Sequence, residues 1–237
     1  MRRFPAVSLL FFAACTAVEP SSGVATAPNA PVESAGTLEP VDELLASLGV
    51  KRTVDGKALE VQGWVNMNSG VIEVLACAPE GKLHESLLVL DCVPSGLHAG
   101  LMALGLQPGT PGRVEGGGEF KPPTGERVAI ELRWVDANGV ERRTRPEDWL
   151  WDAHSKQTMP RQDWIYAGSF EVPIEGRPGA VSLAADAVKS LAVTYHDATT
   201  LLQLEGLQSL DDTTYEVNSP QVPPKGTPVV VVFTGVK

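Results

Sequence analysis

What is scarce in this chain of 237 residues narrows the field first. No apolar run reaches the roughly 18–20 residues that a membrane-spanning helix needs. Positive charge is in deficit, with 19 Lys and Arg against 29 Asp and Glu and a net charge of −10. Such a surface repels phosphate backbones and anionic lipid headgroups, so nucleic-acid binding and electrostatic adsorption to a membrane are disfavoured. Cysteine occurs only at Cys15, Cys77 and Cys92. There is no C-x-x-C, H-E-x-x-H or Walker loop and no nucleophile elbow. Gly116-Gly117-Gly118 lacks the pattern of a dinucleotide fingerprint, so no cofactor is expected. The absence of a repeat and of β-then-α alternation argues against a doubly wound parallel sheet.

The N-terminus carries the clearest positive signal. Arg2 and Arg3 precede the short apolar stretch Val7–Ala14, too short to span a bilayer, and the small residues Ala13 and Ala14 stand directly before Cys15. This arrangement looks like a lipoprotein export signal over residues 1–14, with diacylation on Cys15 after cleavage; Phe12 departs from the usual leucine. An ordinary cleaved signal with an incidental cysteine is the alternative. Loss of Arg2 and Arg3 takes the net charge from −10 to −12, so attachment to a membrane would rest on the acyl chains, each buried methylene contributing about 0.8 kcal/mol. Thr16 stands where an inner-membrane retention aspartate would, which favours the periplasmic face of the outer membrane. Residues 15–40, rich in Pro, Ala and Ser, read as a tether of roughly 30 Å root-mean-square length.

Residues 41–237 read as one globular domain, for which 43% hydrophobic content is ample. The leucines of 41–49 predict a short helix, and 94–104 a second ended by Gly105. Strands are expected at 58–65, 71–77, 83–91, 127–135, 140–144, 164–172, 190–196 and 228–234, with Asn138-Gly139 as a hairpin turn and a short helix over 197–207. Residues 105–125 must be loop. The fold class is α+β: a single β-rich domain with a mixed or mainly antiparallel sheet and a few short helices.

Reactive side chains are densest between Cys77 and His98. With Cys15 acylated, Cys77 and Cys92 are an even pair that could form a disulfide, or two buried thiols packing as small apolar residues. Cys77, His84, Glu85, Cys92 and His98 are metal-ligand types, but their spacing is wrong, and His84 and Glu85 adjacent on a strand would face opposite ways. Cys77 with His84, or Ser86 with His84 and Asp91, has the types for nucleophilic catalysis without an oxyanion loop. No metal and no catalytic residue is therefore assigned, with His84, Glu85 and Cys77 the weak candidates. Trp149, Trp151 and Trp164 would form a stacking platform for a sugar or peptide if exposed, and anchor a loop to the sheet if buried.

Gly63-Trp64-Val65-Asn66, Ile72–Cys77, Gly81-Lys82 with His84-Glu85-Ser86-Leu87, Leu97-His98-Ala99 through Gly105, Pro108-Gly109, Trp134-Val135-Asp136 and Gly139 form an ordered set of motifs. Glu147-Asp148-Trp149-Leu150, Trp164–Ser169, Tyr215-Glu216-Val217-Asn218, Pro224 and Gly226–Val229 continue it. Together they resemble the YdjY domain of bacterial envelope proteins across most of residues 54–234. The resemblance implies a single domain in a secreted or lipid-anchored protein and marks Cys77–Ser86 as part of the signature; Cys92 lies outside that pattern. The expectation is a lipid-anchored envelope protein that acts without catalysis, either binding an envelope protein, glycan or small molecule or serving as a structural module in an assembly there. The alternative is a periplasmic enzyme or metal protein centred on Cys77, His84 and Glu85.

Overall fold

The computed structural model describes residues 39–236. The export signal 1–14, the lipid attachment at Cys15 and all but the last two residues of the tether lie outside the described residues. Those described fall within one of the two units into which the chain divides, Leu38–Lys237. They form a single β-rich domain with few short helices and a mixed sheet.

Helix α1 (Pro40–Ser47) begins on a proline that needs no N–H partner, carries Asp42 and Glu43 in its first turn, and ends where Gly49 takes φ +81°. It leads into β1 (Val50–Arg52) and β2 (Ala58–Val65). β3 (Val74–Cys77) and β4 (Ser86–Leu90) follow, then α2 (Pro94–Ala103), which Gly105 stops at φ +86°. The expected loop 105–125 contains a small hairpin, β5 (Arg113–Val114) with β6 (Phe120–Lys121), whose tip is Gly116–Gly118. β7 (Arg127–Val135) turns into β8 (Glu141–Thr144) where the Asp136 carboxylate accepts from the N–H groups of Asn138 and Val140 and Gly139 sits at φ +77°. A 3₁₀ turn (Pro146–Trp149) precedes β9 (Leu150–Asp152), β10 (Gln157–Thr158) and β11 (Trp164–Tyr166). The hairpin β12 (Glu171–Pro173) and β13 (Val181–Leu183) runs into α3 (Ala184–Val188), then β14 (Ser190–Val193), β15 (Leu202–Gln203), a second 3₁₀ turn (Leu207–Leu210), β16 (Tyr215–Val217) and β17 (Pro228–Val236).

The pairings close on themselves. β2 pairs β17, β17 pairs β7, and the path continues through β11, β15, β14, β3 and β4, which returns to β2 at Gly63–Val65. β1 shares that edge of β2 at Leu59–Val61, and β8 shares the far edge of β7. Inward residues alternate as a barrel requires: Leu59, Val61 and Val65 on β2, Val229, Val231 and Phe233 on β17, Val128, Ile130 and Leu132 on β7, all in one core. Each contributes about 1.5–3 kcal/mol relative to exposure. Gly63 permits the closing seam, because a Cβ there would stand 2.3 Å from the Val89 carbonyl oxygen. Among the described residues only β3 with β4 and β14 with β15 run parallel, joined by the straps 78–85 and 194–201.

Three expectations need correction. The helix expected at 197–207 is instead strap and strand, because Asp197 Oδ1 accepts from both the N–H and the hydroxyl of Thr199 and so competes with helical bonding. The strand expected at 164–172 breaks after Tyr166, where Gly168 (φ +90°) and Ser169 (φ +72°) turn the chain. The strand expected at 83–91 starts only at Ser86, since residues 82–85 are turn.

Candidate functional site

The two straps meet beside the β3–β14 pair, and the signature segment is the first of them. Asn66, buried at the end of β2, donates its amide to the carbonyls of Leu83 (2.6 Å) and Ser86 (2.7 Å), while the Ser86 hydroxyl donates to the Lys82 carbonyl at 2.6 Å. Thus pinned, the strap presents Lys82, whose Nζ lies 3.2 Å from Glu85 Oε1 and 3.7 Å from Asp197 Oδ2 on the second strap. Burial opposes the lysine's charge, but Glu85, Asp197 and Glu73 hold its pKa above the ordinary value. Around this pair lies a cleft of about 280 Å³ lined by Glu73, Lys82, Tyr195, His196 and Asp197. Burial, with Glu85 nearby, pushes the Glu73 carboxyl up. Burial also lowers the His196 pKa, against Asp197; Phe120 of β6 packs edge-on against the imidazole at 5.5 Å.

The structure does not assemble Cys77, His84 and Glu85. Cys77 is fully buried and packs with Val74, Val89 and Val193, where burial raises its thiol pKa. The His84 side chain is 80% exposed and meets Glu85, Nε2 to Oε2 at 3.4 Å. That contact corrects the expectation that the two face opposite ways, and it exists because they sit on a turn. Glu85 itself is committed to Lys82. Cys77 and Cys92 are both free, so the disulfide held open from the sequence is absent: Cys92 packs in the main core, a different cluster, where burial pushes its pKa up to about 12. Ser86 is buried and turned to the Lys82 carbonyl, away from any triad. His98 hydrogen-bonds through Nδ1 with the Tyr166 hydroxyl at 2.7 Å. Among the described residues no three His, Cys, Asp or Glu side chains converge as metal ligands.

The tryptophans divide. Trp149 and Trp164 are buried, which is the loop-anchoring alternative and removes both from a stacking platform. Trp149 packs edge-on against Trp134 at 5.1 Å. Trp164 donates Nε1–H to Glu147 Oε1 at 3.1 Å, and Glu147, wholly buried, is paired with Arg145, Nε to Oε2 at 3.0 Å. Trp151 alone of the three stays partly exposed.

Glu73, Tyr195, His196 and Asp197 were not singled out from the sequence, because the cleft draws on two distant straps and no short-range spacing marks it. Against known proteins, no curated protein and no solved structure matches the chain. A family model, that of the YdjY domain, matches residues 47–234. The matched span includes both straps and the cleft between them, and with it most of its length accounted for, the chain belongs to the YdjY domain family.

Proposed function

We propose that this protein is a lipid-anchored component of the cell envelope, held through Cys15, whose YdjY domain is a non-catalytic binding module. The observation that carries the binding reading is the cleft between the straps. Its charged groups are already paired by Lys82 with Glu85 and Asp197, which fixes their positions, while Glu73, Tyr195 and His196 line an open concavity around them. A rigid polar recess of this kind recognises; it has no activated nucleophile to react with what it holds. The catalytic alternative at Cys77, His84 and Glu85 loses the convergence that it needs. The ligand is an envelope protein, a glycan or a small molecule, and the anchor faces the periplasm from the outer membrane. Labelled palmitate should be incorporated into the wild type and be absent from Cys15→Ala; labelling that survives the substitution refutes attachment at that residue.

A further inference from the structure

A second surface, apart from the cleft, is built on the three-stranded sheet β10–β9–β16. Its register pairs Trp151 with Thr158 on one side and Glu216 on the other, so these three side chains share a face. The opposite face is turned inward, with Leu150, Tyr215 and Val217 buried in the main core, which makes the sheet a rigid mount. Trp151 is half-buried and lines a shallow recess of about 340 Å³ together with Gly70, Glu216, Asn218 and Ser219. Asn218 is fixed by donating to the Asp148 carbonyl at 3.0 Å. The Glu216 carboxylate and the Ser219 hydroxyl have no hydrogen-bond or ion-pair partner among the described residues.

We infer that this face binds a neutral glycan, with one pyranose ring stacked on the Trp151 indole. The C–H face of a sugar is apolar while its rim is hydroxyl, and an indole with polar groups at its edge matches both parts. The Glu216 carboxylate can accept hydrogen bonds from two vicinal hydroxyls, and Ser219 can donate or accept. No Lys or Arg lines the recess, which disfavours phosphorylated or uronic sugars. Strand addition by a peptide is blocked along β16, whose outer edge is already bonded to the preceding chain: Ile72 N–H donates to the Tyr215 carbonyl at 2.9 Å and Val217 N–H to that of Gly70 at 2.9 Å.

The inference rests on the reading of the domain as a binding module but not on the Lys82 cleft, and the test separates the two. The full chain is titrated with soluble tetrasaccharides of β-linked glucose and of β-linked N-acetylglucosamine, followed by calorimetry and tryptophan fluorescence. At least one should bind, with affinity reduced tenfold or more in Trp151→Ala and in Glu216→Gln and unchanged in Lys82→Ala. The Glu216→Gln variant keeps the fold in question out of the answer, since it is isosteric and half-exposed. Binding that survives Trp151→Ala and disappears in Lys82→Ala overturns the inference while sustaining a binding module. Binding of neither sugar overturns the inference and leaves the binding reading to rest on the cleft.

Discussion

Glu147 is a carboxylate with no exposure, and its environment pulls in two directions. Burial raises its pKa, while the Arg145 guanidinium and the Trp164 N–H lower it; burial prevails. A folded-state pKa above the unfolded one means that the native protein binds the proton more tightly. The group therefore contributes its full stability below the unfolded pKa and loses it as pH rises through the folded value. Compared with Glu147→Gln, the wild type should lose stability as pH rises from acid to neutral, as read by urea denaturation at stepped pH; a difference that is flat or grows with pH removes this account. Arg145→Met should cost about 3–5 kcal/mol at neutral pH, because a buried carboxylate loses its partner, and less in acid, where Glu147 can be protonated.

The seam between β2 and β4 depends on a few small contacts. Gly63→Ala would push a methyl group into the Val89 carbonyl, and a clash with backbone cannot be relieved by a rotamer change. A loss of about 1–3 kcal/mol is expected, at the level of an overpacked core. Asn66→Ala should cost a similar 1–3 kcal/mol by stripping the Leu83 and Ser86 carbonyls of their shared donor. Chemical denaturation reads both, and a neutral Gly63→Ala would mean that β4 can move away from β2. Local patterns foretold the longer elements: β7 falls at Arg127–Val135 because alternation marks it, and its turn is written in Asn138-Gly139. The straps were illegible for the opposite reason. Residues 83–85 look like the start of an apolar strand until Asn66, distant in sequence, claims the carbonyl of Leu83. The cleft was hidden in the same way, since Lys82 and Asp197 become neighbours only when two parallel pairs form side by side. Of the residues the sequence did single out, the tryptophans were separated only by packing, which buries Trp149 and Trp164 and leaves Trp151 at the surface.

Across the whole molecule, the three cysteines give a count that links the proposed anchor to the fold. Cys77 and Cys92 are buried and free, with thiol pKa values raised by burial. Thiolate is the reactive form, so in the native protein both should resist a thiol reagent at neutral pH. After unfolding in denaturant without reductant, two thiols should titrate if Cys15 is acylated and three if the full-length chain is unmodified. No reactive thiol after unfolding would mean that Cys77 and Cys92 are oxidised, against the structure. The ring of strands bears on how such a protein comes to exist. β17 lies between β2 and β7, so the strand encoded last supplies the partner for one encoded near the beginning of the domain. During synthesis β2 and β7 must wait for residues 228–236 before their long edges are covered. A nascent chain built in this order keeps two long strand edges unpaired until the residues of β17 have been made.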